Sequence, residues 1–515
     1  MTDRGQFCLG ELVDRIAPPE GLAVLRPGQR ALPVSDLAHD ARLVGPGMLF
    51  FCIVGAVSDG HDFAAAAAAS GAVALIVERP LPELDLPQIV VADSRRALAQ
   101  AAQHFYGYPS HRLRVTGITG TNGKTTTAYI LDSLLRGAGR TTGLIGTVET
   151  HVAGQVEPAG RTTPDALALQ QLLARMVEAG VSDVVMEVSS HALDLERTLG
   201  TRFACTAFTN LSQDHLDWHH DMESYFVAKK KLFVEYEVAA RVINVDDAWG
   251  RRLFSDLQAF GRKPFGVGEL PADSGSLGLA WDPTSVHYGA AQTKFSLCQP
   301  ESGHTVAVQA PLVGAYNVHN VVVAAGCALQ LGLTLEELPA LLARITPAPG
   351  RLQPVEAGQD FAVLVDYAHT DDALRTALGA LREVTRGQIL TVFGCGGDRD
   401  HGKRPLMGRA AAQGSDYVVA TSDNPRSEDP RAILAEVETG LVLTPTPFEV
   451  IVDRAAAIRR AISLARSGDC VFIAGKGHED YQIFADQTIH FDDREIALWA
   501  LRDRGFGAPS SEEFL

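Results

Sequence analysis

The chain has 515 residues, 46% hydrophobic and 21% charged, with a formal net charge of −17. That is enough chain for about two to four soluble domains with their own cores, and its acidity argues against a nucleic-acid or anionic-membrane surface, so an anionic substrate must be met by local cations. No segment approaches the roughly 18 apolar residues of a membrane helix, the N-terminus lacks a basic-then-apolar leader, and seven cysteines without paired spacing read as reduced thiols, neither a disulfide framework nor a zinc site.

The first block, to about Ser110, reads as short strands (Met48 to Val54, Val73 to Val77, Gln88 to Val91) and helices (Phe63 to Ala69, Arg95 to Phe105), closed by Tyr108-Pro109-Ser110. The second alternates strands (Leu113 to Ile118, Asp183 to Glu187, Ala204 to Thr209, Val242 to Val245) with helical patterns, including Thr125 to Leu135 and Glu223 to Glu235. It ends in a hairpin, Thr293 to Cys298 and Thr305 to Gln309. After Pro347-Ala348-Pro349-Gly350 a third block repeats the alternation, with strands Ala362 to Val365, Ile389 to Phe393, Tyr417 to Ala420 and Cys470 to Ala474. The expectation is α/β throughout: a smaller N-terminal α/β domain (1–111), a central P-loop-type domain with a mostly parallel sheet and helices on both faces (112–348), and a C-terminal Rossmann-like doubly wound domain (349–515). Ligands of such sheets sit at the C-terminal strand ends.

The segment Gly117 to Thr127, GITGTNGKTTT, has the order that phosphate chemistry needs: strand, glycine turn, helix. Consecutive N–H groups and the helix N-terminus converge on an anion, Lys124 adds a full charge, and Thr125 or Thr126 offers a hydroxyl to Mg²⁺. A strict Walker spacing would place glycine where Ile118 stands, but the physics is intact. An ordinary glycine turn would leave the Gly-Lys-Thr-Thr order to chance.

Glu187, at a strand end beside this loop, is a candidate Mg²⁺ ligand, since hard cations take oxygen. The stretch Thr209 to Asp221 packs three carboxylates and three histidines between Asp214 and Asp221, where the bland reading is a solvated turn with a helix cap at Asp214. Lys229, Lys230 and Lys231 point three ways around a helix, and solvation explains two of them. In the third block, Phe393 to Pro405 offers glycines with Arg399, Lys403 and Arg404. Asp423-Asn424-Pro425-Arg426 combines an anion, an amide and a guanidinium, which suits a zwitterion, although turns are rich in Asp, Asn and Pro. Ala474 to Asp480 adds Lys476, His478 and Glu479 at the same edge.

Together GTNGKTTT, TTPD (Thr162 to Asp165), EVSSHAL, TNLSQDHLD, AKKKLF, GAYNVHN, DYAHT, GCGGDRD, DNPR and GKGHEDYQ resemble the Mur ligase family over essentially the whole chain. The resemblance implies an ATP-dependent ligase of peptidoglycan precursor synthesis, monomeric and cytoplasmic, without nucleic-acid or membrane partners. It would join meso-diaminopimelate to the D-Glu γ-carboxylate of UDP-MurNAc-L-Ala-D-Glu through an acyl phosphate. In this family DNPR goes with diaminopimelate, and lysine-adding members carry another tetrapeptide.

The same resemblance assigns roles. Gly117, Thr119, Gly120, Thr121, Asn122, Gly123, Lys124, Thr125 and Thr126 would bind ATP phosphates, with Asn317 on the adenine and Arg351 and Asp366 on the rest of the nucleotide. Thr125, Glu187, His215 and Lys229 would serve two Mg²⁺ ions, Lys229 as a CO₂-derived carbamate, and Lys124, Glu187, His215 and Lys229 form the catalytic set. Asp40, Arg42, Thr162, Thr163, Ser189 and Arg197 would hold the UDP substrate. Arg399, Asp423, Asn424, Pro425, Arg426, Gly475 and Glu479 would hold the amino acid. The chain departs from the family at Ala41, Leu195 and Asp371, where serine, glutamine and proline are usual. Two other readings stay open: a folylpolyglutamate-synthase-like ligase, against which DNPR and the N-terminal block argue, and a non-catalytic nucleotide-binding scaffold, against which the intact Lys124, Glu187, His215 and Lys229 argue.

Overall fold

The computed structural model describes residues 7–16, 25–55, 58–270, 277–289 and 292–507. Its architecture is α/β, and packing divides the chain into two compact units: residues 1–267 with 325–333, and residues 268–324 with 334–515.

In the first unit a small parallel sheet, Leu37–Ala38, Leu49–Phe51, Ala74–Val77 and Gln88–Val90 in that order, carries the N-terminal core. The main sheet runs Gln155–Pro158, Glu149–Val152, Thr142–Ile145, Asp183–Glu187, Arg114–Thr119, Phe203–Phe208, Val238–Asn244 and Phe265–Glu269. From Thr142–Ile145 onward the pairings are parallel, and the first two strands form an antiparallel flap. The central strands are apolar and buried on both faces, as a parallel sheet between helices requires. Their core joins Val115, Val184, Met186, Phe208, Phe233 and Leu253.

Register places the chemistry. Glu187 pairs with Ile118 and Phe208 with Thr119, so the strands carrying Glu187 and Thr209 end on either side of the glycine turn.

In the second unit, strands Leu277–Tyr288, Thr293–Gln299 and His304–Ala310 form an antiparallel meander, the last two being the expected hairpin. A six-stranded sheet runs Gln353–Pro354, Ala362–Asp366, Cys470–Ala474, Ile389–Cys395, Tyr417–Ser422 and Phe448–Val450, parallel except at its first strand. Strand Cys470–Ala474, the last of these six in the chain, is third in the sheet, inserted between Ala362–Asp366 and Ile389–Cys395, which opens a crevice at their C-terminal ends.

Several boundaries differ from expectation. Strand Val238–Asn244 begins four residues before Val242, because exposed polar-flanked residues at its start pair with Phe203–Phe208. Phe63 belongs to a short 3₁₀ turn, Gly60–Phe63, where Asp59 accepts from the His61 N–H, and the α-helix is Ala64–Ala69. The phosphate-loop helix is Lys124–Gly137, and the lysine-bearing helix is Met222–Val234, capped by Asp221. Asp214 is not a helix cap: His215 holds that position before Leu216–His219, in left-handed backbone with φ +53°. At Asp371 the departure from proline is benign. The residue opens helix Asp371–Val384 behind the Thr370 cap, where an acid complements the helix dipole and pairs with Arg375 at 2.6 Å.

Candidate active site

Strand Arg114–Thr119 turns through Gly120–Gly123 into helix Lys124–Gly137. Gly120 and Gly123 have φ +152° and +83°. A Cβ on Gly120 would lie 1.9 Å from Thr209 Oγ1, so the turn reaches the neighbouring strand end only without a side chain. There it is moored: the Thr209 hydroxyl donates to Asn122 O (2.7 Å), Asn122 N donates to Asn210 Oδ1 (2.9 Å), and Thr121 N donates to Asn210 O (2.9 Å). Lys124 Nζ donates to the carbonyls of Gly120 (3.0 Å) and Thr121 (2.8 Å). Thr119, Thr125 and Thr126 are buried around the turn, and Gly117 lies in the strand against the Phe203 ring.

Glu187 is buried and fully engaged. Its carboxylate accepts from Thr125 Oγ1 (2.9 Å), Thr147 N (2.8 Å) and Thr147 Oγ1 (3.1 Å). Thr147 Oγ1 also hydrogen-bonds with Thr162 Oγ1 at 3.1 Å, linking the phosphate-loop helix to the expected UDP-substrate segment. Within that segment Thr163 Oγ1 donates to Glu187 O (2.9 Å) and accepts from Ser189 N (3.1 Å), while Arg197 Nη1 donates to Thr163 O (3.1 Å). Ser189 caps helix Ser190–Asp194. Asp40 and Arg42 pair with each other at 2.6 Å, which brings the Asp40 carboxyl down to about 2. The neighbouring His39 stands 3.5 Å from Asp165, in the segment that carries Thr162 and Thr163.

The three lysines separate sharply. Lys230 pairs with Asp256 (2.6 Å) and Lys231 with Asp194 (2.7 Å), so both are surface ion pairs rather than simply solvated groups. Lys229 is 1% exposed; its Nζ donates to Gly120 O at 2.7 Å and lies 4.5 Å from the Tyr225 ring centroid. Burial, then the Lys124 cation, holds its pKa well below the ordinary lysine value. His215 stands edge-on to His191 at 4.8 Å. Partial desolvation of its half-exposed ring brings its pKa down to about 4, against the pull of Asp214 at 3.3 Å, and His191 and the Lys124 and Lys229 charges add to the depression. The imidazole is therefore neutral near pH 7 and has a lone pair to offer.

In the second unit, Asp366 accepts from Leu352 N (2.7 Å) and Ala368 N (2.8 Å), and burial raises its pKa against the Arg351 charge. Arg351 lies 4.7 Å above the Tyr367 ring. Asn317, near the start of helix Ala315–Gln330, donates to Val313 O (2.8 Å) and accepts from Asn320 Nδ2 (3.0 Å).

The expected amino-acid residues gather where strands Ile389–Cys395, Tyr417–Ser422 and Cys470–Ala474 end. Asn424 Nδ2 donates to Glu479 Oε2 (2.9 Å), and the buried Lys476 ammonium donates to Asn424 Oδ1 (2.9 Å) while standing 3.3 Å from Asp423 and 3.8 Å from Glu479. Gly475 leaves room for Asp423, whose Oδ2 would be 3.4 Å from a Cβ there. Burial, then the Asp423 charge, raises the Glu479 pKa. Arg426 donates to Gly397 O (2.7 Å), with Pro425 packed over Gly397. Arg399 is the outlier: it is exposed, and its guanidinium donates to Asp398 O.

The sequence reading missed Thr147, which shares the Glu187 carboxylate, and Tyr225, which faces Lys229 and contacts Thr121 Oγ1 at 3.2 Å. Neither lies in a motif with intrinsic chemistry, so nothing local marked them. Lys476 was visible at the strand end, but its burial was not.

Three family models match in chain order: "Mur ligase family, catalytic domain" over residues 33–106, "Mur ligase middle domain" over 118–328 and "Mur ligase, glutamate ligase domain" over 350–477. The chain is 46% identical over 506 residues to the UDP-N-acetylmuramoyl-L-alanyl-D-glutamate–2,6-diaminopimelate ligase of Solibacter usitatus, covering 97% of this chain and 99% of that one. It is 45% identical to the protein of the same name from Geobacillus thermodenitrificans, covering 91% and 95%. This chain belongs to the Mur ligase family. Among solved structures, a ligase again of that name matches with TM-score 0.69 and 32% identity, over 97% of this chain and 100% of that one. A Mycobacterium tuberculosis folylpolyglutamate synthase complexed with ADP and AMPPCP matches with TM-score 0.58 and 18% identity over 74% and 92%, a likeness of fold alone.

Proposed function

We propose that this chain joins meso-diaminopimelate to the D-Glu γ-carboxylate of UDP-MurNAc-L-Ala-D-Glu, forming ADP, phosphate and the tripeptide precursor of peptidoglycan. The observation that carries the reading is the cluster of Asp423, Asn424, Arg426, Lys476 and Glu479 at one sheet edge: carboxylates for an ammonium and a guanidinium for a second carboxylate. The relatives that share this length of chain carry that activity in their names.

A carboxylate is a poor electrophile, so ATP first converts it to an acyl phosphate. Phosphoryl transfer is mainly positioning and charge neutralisation, which falls to the Gly120–Gly123 turn and Lys124. The amine of the amino acid then attacks the acyl carbon, the tetrahedral oxyanion collapses, and phosphate leaves. Thr162, Thr163, Ser189 and Arg197, with Asp40 and Arg42, are proposed for the UDP substrate. Asn317, Arg351 and Asp366 are proposed for the nucleotide. Arg399, Asp423 to Arg426, Gly475 and Glu479 are proposed for the amino acid. The three expected domains, 1–111, 112–348 and 349–515, remain part of this reading.

Mg²⁺ would be held by Thr125, Glu187, His215 and Lys229. The donors fit. Among the described residues no three His, Cys, Asp or Glu side chains could cage an ion by themselves, and Mg²⁺ typically takes one or two carboxylates and completes its shell with phosphates and water. Lys229 can join only as a carbamate, and the burial that depresses its pKa favours the neutral amine form that adds CO₂. When bound, the ion neutralises phosphate charge. The test is ADP release with UDP-MurNAc-L-Ala-D-Glu alone and with diaminopimelate. Release that depends on both supports the reading, and release that ignores the amino acid contradicts it.

A further inference from the structure

The loops after strands Ile389–Cys395 and Tyr417–Ser422 are clasped along their backbones. Gly397 N donates to Asn424 O (2.9 Å), Arg426 Nη1 returns to Gly397 O (2.7 Å), and Ser427 Oγ donates to Asp398 Oδ1 (2.6 Å). The approach is so close that a Cβ on Gly397 would lie 1.9 Å from Pro425 O. Both Asp398 and Arg426 are left-handed, each at φ +53°. Non-glycine residues persist there only when their surroundings over-determine them.

Behind the clasp lies Arg404, a guanidinium only 1% exposed. It donates to Glu428 Oε1 (2.8 Å), to Glu436 Oε2 (3.0 Å) and to Gly396 O (3.4 Å). Glu428 also accepts the Asp398 N–H, and Arg404, then that N–H, brings its carboxyl down to about 2. Arg404 therefore grips both sides of the Gly397–Asp398 pair, the pair whose carbonyl receives Arg426. It needs to be arginine, because one side chain reaches three acceptors in a fixed plane.

We propose that Arg404 is a positioning residue for amino-acid selection: it touches no substrate, but through Glu428 and Gly396 it fixes the loop that aims Arg426 at the distal carboxylate. This rests on the reading of the reaction given above. The plain alternative is that Arg404 only joins helix Lys403–Gly414 to helix Pro430–Leu441. That role would lower stability without singling out the amino acid.

The experiment is a double-mutant cycle. Arg404→Met, Arg426→Ala and the double variant are assayed for kcat and KM with meso-diaminopimelate and L-lysine, alongside ADP affinity by calorimetry. Arg404→Met should raise the diaminopimelate KM on the order of 10- to 100-fold, with a smaller change in kcat and unchanged ADP affinity. Added to Arg426→Ala it should cost little more, since both act through one guanidinium. If methionine at 404 prevents folding, Glu428→Ala, at a more exposed position, must show the same non-additivity. A wild-type KM in Arg404→Met, or losses that multiply with Arg426→Ala, would overturn the proposal. A wild-type protein that does not prefer diaminopimelate to L-lysine would instead overturn the reading of the reaction, and this inference with it.

Discussion

Replacing Lys229 by methionine removes the ammonium while keeping the length of the side chain. In the structure that ammonium is 1% exposed, shares the Gly120 carbonyl with Lys124 (2.7 and 3.0 Å), and has its charge disfavoured by burial and by Lys124. A charged hydrogen bond contributes about 1.5–3 kcal/mol, but here Gly120 O keeps its Lys124 donor, so no acceptor is orphaned. The desolvation cost of an ion, several kcal/mol before compensation, disappears as well. The net expectation for Lys229→Met is a stability change within about 1 kcal/mol of zero, or a gain. Activity should behave oppositely. Without the amine there is no carbamate, and losing a charge-stabilising group of this kind costs roughly 100- to 1,000-fold in kcat. Denaturant unfolding and steady-state ADP release measure the two halves, and acetate or formate with Lys229→Ala offers partial rescue. Near-wild-type turnover in Lys229→Met refutes the carbamate role. A loss of several kcal/mol in stability refutes the electrostatic account. Lys230→Ala and Lys231→Ala, which break only surface pairs, should each change stability by less than about 1 kcal/mol and leave turnover near wild type.

Three further outcomes follow from the same geometry. Gly120→Ala should weaken ADP binding at least about tenfold, because the added Cβ meets Thr209 Oγ1 at 1.9 Å and must displace the bond that moors Asn122; calorimetry reads this directly. Arg426→Ala should lower kcat/KM for diaminopimelate by roughly 30- to 1,000-fold with ATP affinity close to unchanged, and Arg426→Lys should also be poor, as steady-state kinetics will show. The His39–Asp165 pair should act only within a pH window. Although burial opposes it, His39 and the Ala168 N–H bring Asp165 from 3.8 to about 2, so its stabilisation is complete above 3.8 and lost as pH falls toward 2. Asp165 raises His39 above 6.5, so that share is complete below 6.5 and lost as pH rises through the raised value. Asp165→Ala, which also removes a helix cap, should cost about 1 kcal/mol near pH 6 and flatten the profile of Tm against pH.

The sheet strands whose residues are apolar on both faces could be read directly, and Asp183–Glu187 and Cys470–Ala474 fell on the expected residues. The flap Glu149–Val152 with Gln155–Pro158 and the long strand Leu277–Tyr288 were not anticipated, because they are half exposed and carry polar residues that mimic loops. At the site, glycines and charged residues at strand ends were legible because phosphate and zwitterion chemistry dictates their type. Helical spacing alone could not show which of three adjacent lysines turns inward, since this depends on the rotation of helix Met222–Val234 over the glycine turn; only the resemblance of AKKKLF singled out Lys229. Nor could it show that Arg404, which looks like a surface cation, is buried between two glutamates.

The most direct test incubates the full-length protein with ATP, Mg²⁺ and UDP-MurNAc-L-Ala-D-Glu, adding either meso-diaminopimelate or L-lysine, and follows ADP together with the mass of the UDP-linked product. The expected result is one ADP per tripeptide formed, with diaminopimelate strongly preferred. Equal use of L-lysine would contradict the assignment of the amino acid, and ADP release without any new amide would contradict the ligase itself.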